Sequence, residues 1–245
     1  MYALIYTELL KLRTTRWPLA LLPVAMGLTG AMALSPALKA GTAGAPSVGT
    51  AGALLAVLAA TGIGSLVALV AGVLIVTDEV YRDTLTTGLL RAPRRGFLLA
   101  SKAVTAALFA LVIGVADLLV MLAIGLISGI LTSDLINADI LLRTGGLVAA
   151  YPLYAVLGVG LGALLHYQPV AVALPVFWAL FLEDLLIRAD SPLWPWTLRN
   201  VSAALANAGD IAGLIPVWAG ALTLGGYALA AAALGGFRLI LRDIT

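Results

Sequence analysis

Long uncharged stretches, separated by short polar segments, dominate the sequence. A helix needs about 20 apolar residues to cross a hydrocarbon core about 30 Å thick, and the longer stretches reach that length. The six predicted membrane-spanning stretches are residues 17–34, 52–77, 103–131, 144–165, 169–182 and 211–237. The pattern therefore predicts an all-α polytopic membrane protein in which residues 1–245 form one transmembrane domain.

The first sixteen residues follow a different pattern, because charged positions interrupt the apolar ones. The apolar positions recur at helical spacing and are Tyr2, Ile5, Leu9 and Leu12. We therefore expect residues 1–16 to form an interfacial helix whose apolar stripe lies in the headgroup layer while Glu8 and Lys11 face water. The alternative is a signal peptide, since Ala31-Met32-Ala33 is similar to a cleavage site.

Composition narrows the class of protein. Apolar residues make up 62% of the chain and charged residues 11%, whereas about a quarter of the residues in a soluble domain are charged. The absence of cysteine from the sequence excludes disulfides, thiolate metal sites and thiol catalysis. An intramembrane enzyme is an open alternative, but the sequence has one histidine, His166, and it lies in a predicted loop.

The basic residues are distributed unevenly between alternate connections. If both termini are cytoplasmic, ten of the fourteen Lys and Arg residues lie on the inside and four lie outside. The four outside are Lys39, Arg143, Arg188 and Arg199. The positive-inside rule therefore predicts a multi-pass protein of the plasma (inner) membrane with both termini in the cytoplasm.

Small residues four apart are typical of close helix packing, and the sequence has two such pairs. They are Gly125 with Gly129, and Gly158 with Gly162. We expect both pairs to let neighbouring helices approach closely.

The most informative connection is the predicted cytoplasmic segment 78–102. Asp83 or Thr84 can cap a short helix, and Pro93 suits the first turn of the next one. Leu85, Leu89 and Leu90 would share one face of that short helix, which a partner protein could grip. A solvated loop, whose arginines fix the topology and contact lipid phosphates, is the alternative interpretation.

This segment resembles the corresponding part of the permease subunit of type-2 ABC exporters. The matching positions are Glu79, Thr84, Leu89, Leu90, Pro93, Arg94, Arg95 and Lys102. The N-terminal stretch with Glu8 and Lys11 is similar to the connecting helix of that family, and residues 158–183 are similar as well. The resemblance covers nearly the whole chain. One departure is at residues 166–168, His-Tyr-Gln, where a residue with a permanent positive charge is expected.

The resemblance implies a transport subunit that is not itself an enzyme and binds no cofactor. The sequence has no G-x-x-x-x-G-K-[ST] motif, so ATP and Mg²⁺ would be bound by a separate cytoplasmic ATPase subunit. That subunit would push on residues 84–90, and Glu79 would brace the connecting helix through Lys11 or Arg13.

The resemblance also implies a second permease subunit, identical or related, which would complete a path for a hydrophobic or amphiphilic drug, lipid or peptide. Nucleic acid is not an expected partner.

Two acidic sites remain. Asp117 lies within the third predicted span, where an ionised, unpaired carboxylate costs about 2.5–3.5 kcal/mol, so it faces protein or water or carries a proton. It is either part of a transport path or a structural acid bonded to a neighbouring helix.

Glu183 and Asp184 begin the predicted outer connection 183–210. In the resembled family the matching region caps the exit, so these two residues are candidate gate residues. An ATP-independent secondary carrier is the other open alternative.

Overall fold

The structure is a computed structural model that describes residues 2–81, 95–135, 137–165, 167–189, 191–205 and 213–241. Every regular element within these ranges is helical. The α-helices are α1 Tyr2–Thr14, α2 Arg16–Lys39, α3 Ala51–Leu58, α4 Thr61–Tyr81, α5 Arg95–Ile127, α6 Ala138–Leu165, α7 Gln168–Phe177, α8 Glu183–Arg188, α9 Leu198–Leu205 and α10 Val217–Leu241.

Six helical stretches of the described chain are long and apolar enough to cross a membrane. They are Arg16–Lys39, Ala51–Glu79, Gly96–Ile127, Ala138–Leu165, Gln168–Arg188 and Val217–Arg238. This confirms the predicted all-helical fold with six helical stretches that are suited to span a membrane. Because the number of spans is even, the chain enters and leaves the bundle at the same end, which we call the α1 end.

The second span is interrupted, whereas the sequence predicted one continuous helix. Ala59 and Ala60 form a turn between α3 and α4. Hydrogen bonds between residues three apart tighten the backbone there, from Ala60 N to the carbonyl of Val57 and from Ile63 N to that of Ala60. The pattern of apolar residues does not mark this turn, because the chain is apolar on both sides of it.

The fifth span runs six residues beyond its predicted end. Pro175 lies inside α7, and a π-helical turn, Trp178–Leu182, connects α7 to α8. Proline has no N–H to donate to the preceding turn, which loosens the helical hydrogen bonding next to the π turn. Helix α8 then continues to Arg188, so Glu183 and Asp184 lie on a helix and not in the connection.

The central pair of helices is α4 and α6, and close backbone contact holds them together. A methyl group on Gly158 of α6 would overlap the carbonyl of Leu69, and one on Gly72 of α4 would overlap the carbonyl of Ala155. Gly162 also faces α4, since its added Cβ would lie 2.9 Å from the carbonyl oxygen of Val73. The close approach expected at Gly158 and Gly162 is confirmed.

The expectation for Gly125 and Gly129 is wrong. Helix α5 ends at Ile127, and Gly129 adopts a φ of 70°, a left-handed conformation that suits glycine. The amide of Leu131 then donates to the carbonyl of Gly125 at 2.9 Å. This pair therefore ends a helix and does not bring two helices together.

The outer helices present apolar side chains to the surroundings. Helix α6 packs against α4, α5 and α10, while α2 packs mainly on α5. Leu119 and Leu126 of α5 and Leu222 and Leu229 of α10 are each more than 60% exposed. Such faces suit lipid, which solvates apolar side chains without penalty.

Candidate functional site

Four charged side chains from α1, α4 and α5 form a closed ring at the α1 end. Lys11 Nζ lies 2.8 Å from Glu8 Oε1 and 2.7 Å from Glu79 Oε1. Lys102 Nζ lies 3.0 Å from Glu8 Oε2 and 2.7 Å from Glu79 Oε1. Each lysine therefore bridges the two glutamates, and we call Glu8, Lys11, Glu79 and Lys102 the charged ring.

Most of the charged ring is buried. The side chain of Lys102 is 2% exposed, that of Glu8 7% and that of Glu79 13%. The ammonium group of Lys102 has three N–H donors, and the carbonyl oxygen of Ile75, 3.3 Å from Nζ, provides the third acceptor. Because every donor of the buried cation has an acceptor and the ring has no net charge, the burial of these groups is tolerated.

Lys11 closes the ring on its solvent side, with 53% of its side chain exposed. Partial burial alone would lower its pKa, but the hydrogen bonds and charges of Glu79 and Glu8 outweigh this effect and raise the pKa above its ordinary value of 10.5. Lys11 is therefore charged throughout the neutral range. Its contribution to stability is present below pH 10.5 and is lost as the pH rises through the raised pKa.

The ring contains the predicted contact between Glu79 and Lys11. Arg13 is exposed and forms no hydrogen bond or ion pair with another described residue, so Lys11 is the one that contacts Glu79. The expectation that Glu8 faces water is wrong, because Glu8 turns toward α5 and is 6% exposed. Lys102 was expected only to lie at the start of the third span. Its ion pair with Glu8 could not be predicted from helical spacing, because the two residues are 94 positions apart in the sequence.

The remaining residues predicted for ATPase coupling lie outside the described part of the chain. They are Thr84, Leu85, Leu89, Leu90, Pro93 and Arg94, and His166 is outside it as well. What the structure does describe are the two helices that flank this segment, α4 and α5. The charged ring ties both of them to α1.

A second polar group is centred on Asp117 of α5. Asp117 follows Lys102 by 15 residues of helix, which places it about 22 Å along the helix from the charged ring. Asp117 is fully buried, and the hydroxyl of Tyr151 from α6 lies 2.9 Å from its Oδ2 atom. The same hydroxyl lies 3.3 Å from the carbonyl oxygen of Thr61 at the start of α4. Asp117 thus faces protein, as one of the two interpretations of the sequence expected.

Gly64 of α4 makes room for this polar group. A Cβ atom at this position would overlap Asp117 Oδ2 and Tyr151 Oη and would lie 2.9 Å from Thr29 Oγ1 of α2. Four helices therefore meet at Asp117, and the tight packing on Gly64 leaves little free space. The sequence predicted a partner on a neighbouring helix but could not identify Tyr151, because the partner depends on how the helices are rotated.

At the opposite end, Glu183 stabilises the start of α9. Its two carboxylate oxygens accept from the amides of Leu198 at 2.9 Å and Arg199 at 3.1 Å, and Glu183 is 1% exposed. A carboxylate is favourable at this position because the first amides of a helix have no partners within the helix. Asp184, by contrast, forms an exposed ion pair with Arg199 at 3.1 Å. The predicted gate role of these two residues stays a prediction.

We expect a Glu183→Gln variant to loosen α9, because an amide offers one acceptor oxygen where the carboxylate offers two. A lost N-terminal cap costs about 1 kcal/mol, which corresponds to about fivefold faster hydrogen exchange at the amides of Leu198 and Arg199. Asp184→Asn is the matched control and is expected to leave this exchange unchanged. Equal protection in all three proteins would contradict the capping role.

Comparisons with known proteins give no further guidance. No protein-family model matches the sequence, and no curated protein matches it. The function must therefore be argued from the residues and their geometry.

Proposed function

We propose that this chain is the membrane-spanning subunit of an ATP-binding cassette exporter, driven by a separate cytoplasmic ATPase. The observation that carries the proposal is the charged ring, which joins the N-terminal helix α1 to the ends of α4 and α5. These two helices flank residues 82–94, where the resemblance to type-2 exporter permeases implies the contact with the ATPase. A force applied to that segment would pass through the ring to α1 and to two spans.

The ring suits this task because it resists deformation. Pulling α1 away from α4 or α5 would separate buried opposite charges, and breaking a buried ion pair is strongly unfavourable. A partner that binds better to one arrangement of the spans shifts the population toward it. ATP and Mg²⁺ would be bound by that partner, because this sequence has no P-loop.

The proposal includes a second permease subunit, identical or related, and a path between the two for a hydrophobic or amphiphilic drug, lipid or peptide. The exposed apolar faces of the outer helices are compatible with such a neighbour as well as with lipid. The protein would be located in the plasma membrane with both termini in the cytoplasm. The concentration of Lys and Arg in the segments at the α1 end supports this orientation.

A second candidate is an ATP-independent carrier, favoured by the buried Asp117. Acidic residues inside membrane helices often belong to ion or proton pathways. Such a carrier would work without a partner, whereas the exporter subunit would not.

Purification of the tagged chain from its native membrane in mild detergent tests the proposal. We expect a second polypeptide that hydrolyses ATP to remain bound in a fixed stoichiometry. A variant in which Leu85, Leu89 and Leu90 are replaced by serine is expected to lose this polypeptide while retaining its own helical content. Substrate movement by the chain alone in liposomes would overturn the proposal and favour the carrier.

A further inference from the structure

The hydroxyl of Tyr151 lies within reach of two acceptors but has one proton to donate. Its oxygen is 2.9 Å from Asp117 Oδ2 and 3.3 Å from the carbonyl oxygen of Thr61. A phenol donates one hydrogen bond and can accept others. If Asp117 were ionised, one of these two oxygens would face the Tyr151 oxygen with no proton between them.

The surroundings of Asp117 offer no positive charge. The residues that face it are Thr29 from α2, Gly64 from α4 and Tyr151 from α6, and none of the basic residues described forms an ion pair with it. Its Oδ1 atom has no hydrogen-bond partner in the described part of the chain, and the whole side chain is inaccessible. A carboxylate in such a place would have no counter-ion and would be dehydrated, which is strongly unfavourable.

The next titratable group on α6 does not change this picture. Tyr154 points its hydroxyl to the carbonyl oxygen of Leu198 at 2.9 Å and to the Ser202 hydroxyl at 2.8 Å, so it is engaged with α9. On α5 itself, the nearest charged group is Lys102, which is part of the charged ring. Asp117 therefore has no counter-ion on its own helix within bonding distance.

We propose that Asp117 is a proton-binding site and that a proton occupies it in this packed arrangement. The Oδ2–H group then donates to the Tyr151 oxygen, and the Tyr151 hydroxyl donates to the Thr61 carbonyl, so both contacts become hydrogen bonds. The ligand is a proton and not a metal ion, because Asp117 is the one carboxylate that the described residues place here and its Oδ2 atom lies so close to Gly64 that even a Cβ atom added there would overlap it. The reaction is the addition of one proton to the carboxylate.

Proton exchange at this site is linked to helix movement. Water reaches Asp117 only when the helices around Gly64 separate, so the packed arrangement retains the proton and an opened one releases it. Loss of the proton would in turn favour opening. This inference concerns the packing around Asp117 and does not rest on the proposed transport function.

Infrared spectroscopy of the purified full-length protein at pH 7 tests the proposal. We expect the wild type to show a C=O stretch of a protonated carboxyl that shifts in D₂O and is missing from Asp117→Asn. The control is Asp184→Asn, which removes an exposed carboxyl group that is paired with Arg199 and is expected to retain the band. If Asp117→Asn instead loses signal only in the carboxylate region, Asp117 is ionised and the proposal is overturned.

A second variant keeps the proposal testable even if Asp117→Asn does not fold. Tyr151→Phe removes the acceptor of the Asp117 proton, so we expect the band to persist but to move to higher frequency, as for a carboxyl with a weaker hydrogen bond. An unchanged frequency in Tyr151→Phe would contradict the proposed donation from Asp117 to Tyr151. Thermal unfolding adds an independent readout: because the Asn amide can donate to Tyr151 as the protonated acid does, Asp117→Asn is expected to be more stable than Asp117→Ala.

Discussion

A Gly158→Ala variant is expected to lose about 3 kcal/mol of stability, the upper end of the range for overpacking. The added methyl group would overlap the carbonyl of Leu69 and would lie 3.0 Å from the amide nitrogen of Val73, and both are backbone atoms of α4. Side chains can rotate away from such a clash, but a helix backbone cannot. The central α4–α6 pair would have to separate, and unfolding in increasing concentrations of SDS would measure the loss.

Gly145 provides a matched control on the same helix. No atom lies within 4 Å of a Cβ added there, so Gly145→Ala is expected to keep stability or to gain about 0.5–1 kcal/mol from the greater helix preference of alanine. If Gly158→Ala and Gly145→Ala unfolded at the same SDS concentration, the close crossing of α4 and α6 would be wrong.

The second large effect is expected from Lys102→Met, which keeps the length of the side chain but removes its charge. Glu8 and Glu79 would then share Lys11 alone, and the burial of two carboxylates with one cation is expected to cost about 3–5 kcal/mol. Thermal unfolding followed by tryptophan fluorescence would measure the change. Arg199→Met, which breaks the exposed pair with Asp184, is the control and is expected to change stability by less than about 1 kcal/mol.

A double variant separates the loss of the ion pair from the loss of packing. In Glu8→Gln combined with Lys102→Met, one charge of each sign is removed and Lys11 still pairs with Glu79. We expect the double variant to be more stable than Lys102→Met alone, because the uncompensated carboxylate has been removed as well. Additive losses from the two substitutions would contradict a coupled ring.

The spans were predictable from sequence because each is determined locally. A helix that crosses a bilayer needs a long apolar stretch, and such stretches are visible without knowledge of the partners. The ends were less predictable: α5 ends at Ile127, just before the left-handed Gly129, and α8 extends the fifth span beyond Leu182. Both boundaries depend on backbone geometry that apolar residues on either side do not reveal.

The candidate site was predictable only in part. The contact between Glu79 and Lys11 was anticipated from the resemblance to type-2 exporter permeases, which left Lys11 and Arg13 open as partners of Glu79. The burial of Glu8 was not, since it requires Lys102 on a helix that begins 87 residues after Glu8, at Arg95. Helix spacing shows which residues share a face, but the partner of that face is decided by how the helices pack.

The charged ring connects α1 with α4 and α5, the two helices that flank residues 82–94. Under the proposal, a force on residues 82–94 would reach all three helices, because the ion pairs of the ring join them. In the proposed exporter subunit, an ATP-hydrolysing partner would act on the spans through this connection, without any nucleotide site in this chain. The energy source would then lie entirely in the partner.

The rate of ATP hydrolysis by the co-purified partner, measured with and without this chain in lipid nanodiscs, tests that connection most directly. We predict that the chain changes the rate and that replacing Leu85, Leu89 and Leu90 by alanine abolishes the change, while the same replacement at the exposed Leu111, Leu119 and Leu126 of α5 preserves it. A partner whose hydrolysis responds equally to both triple variants, or to neither the wild-type chain nor its variants, would contradict the account.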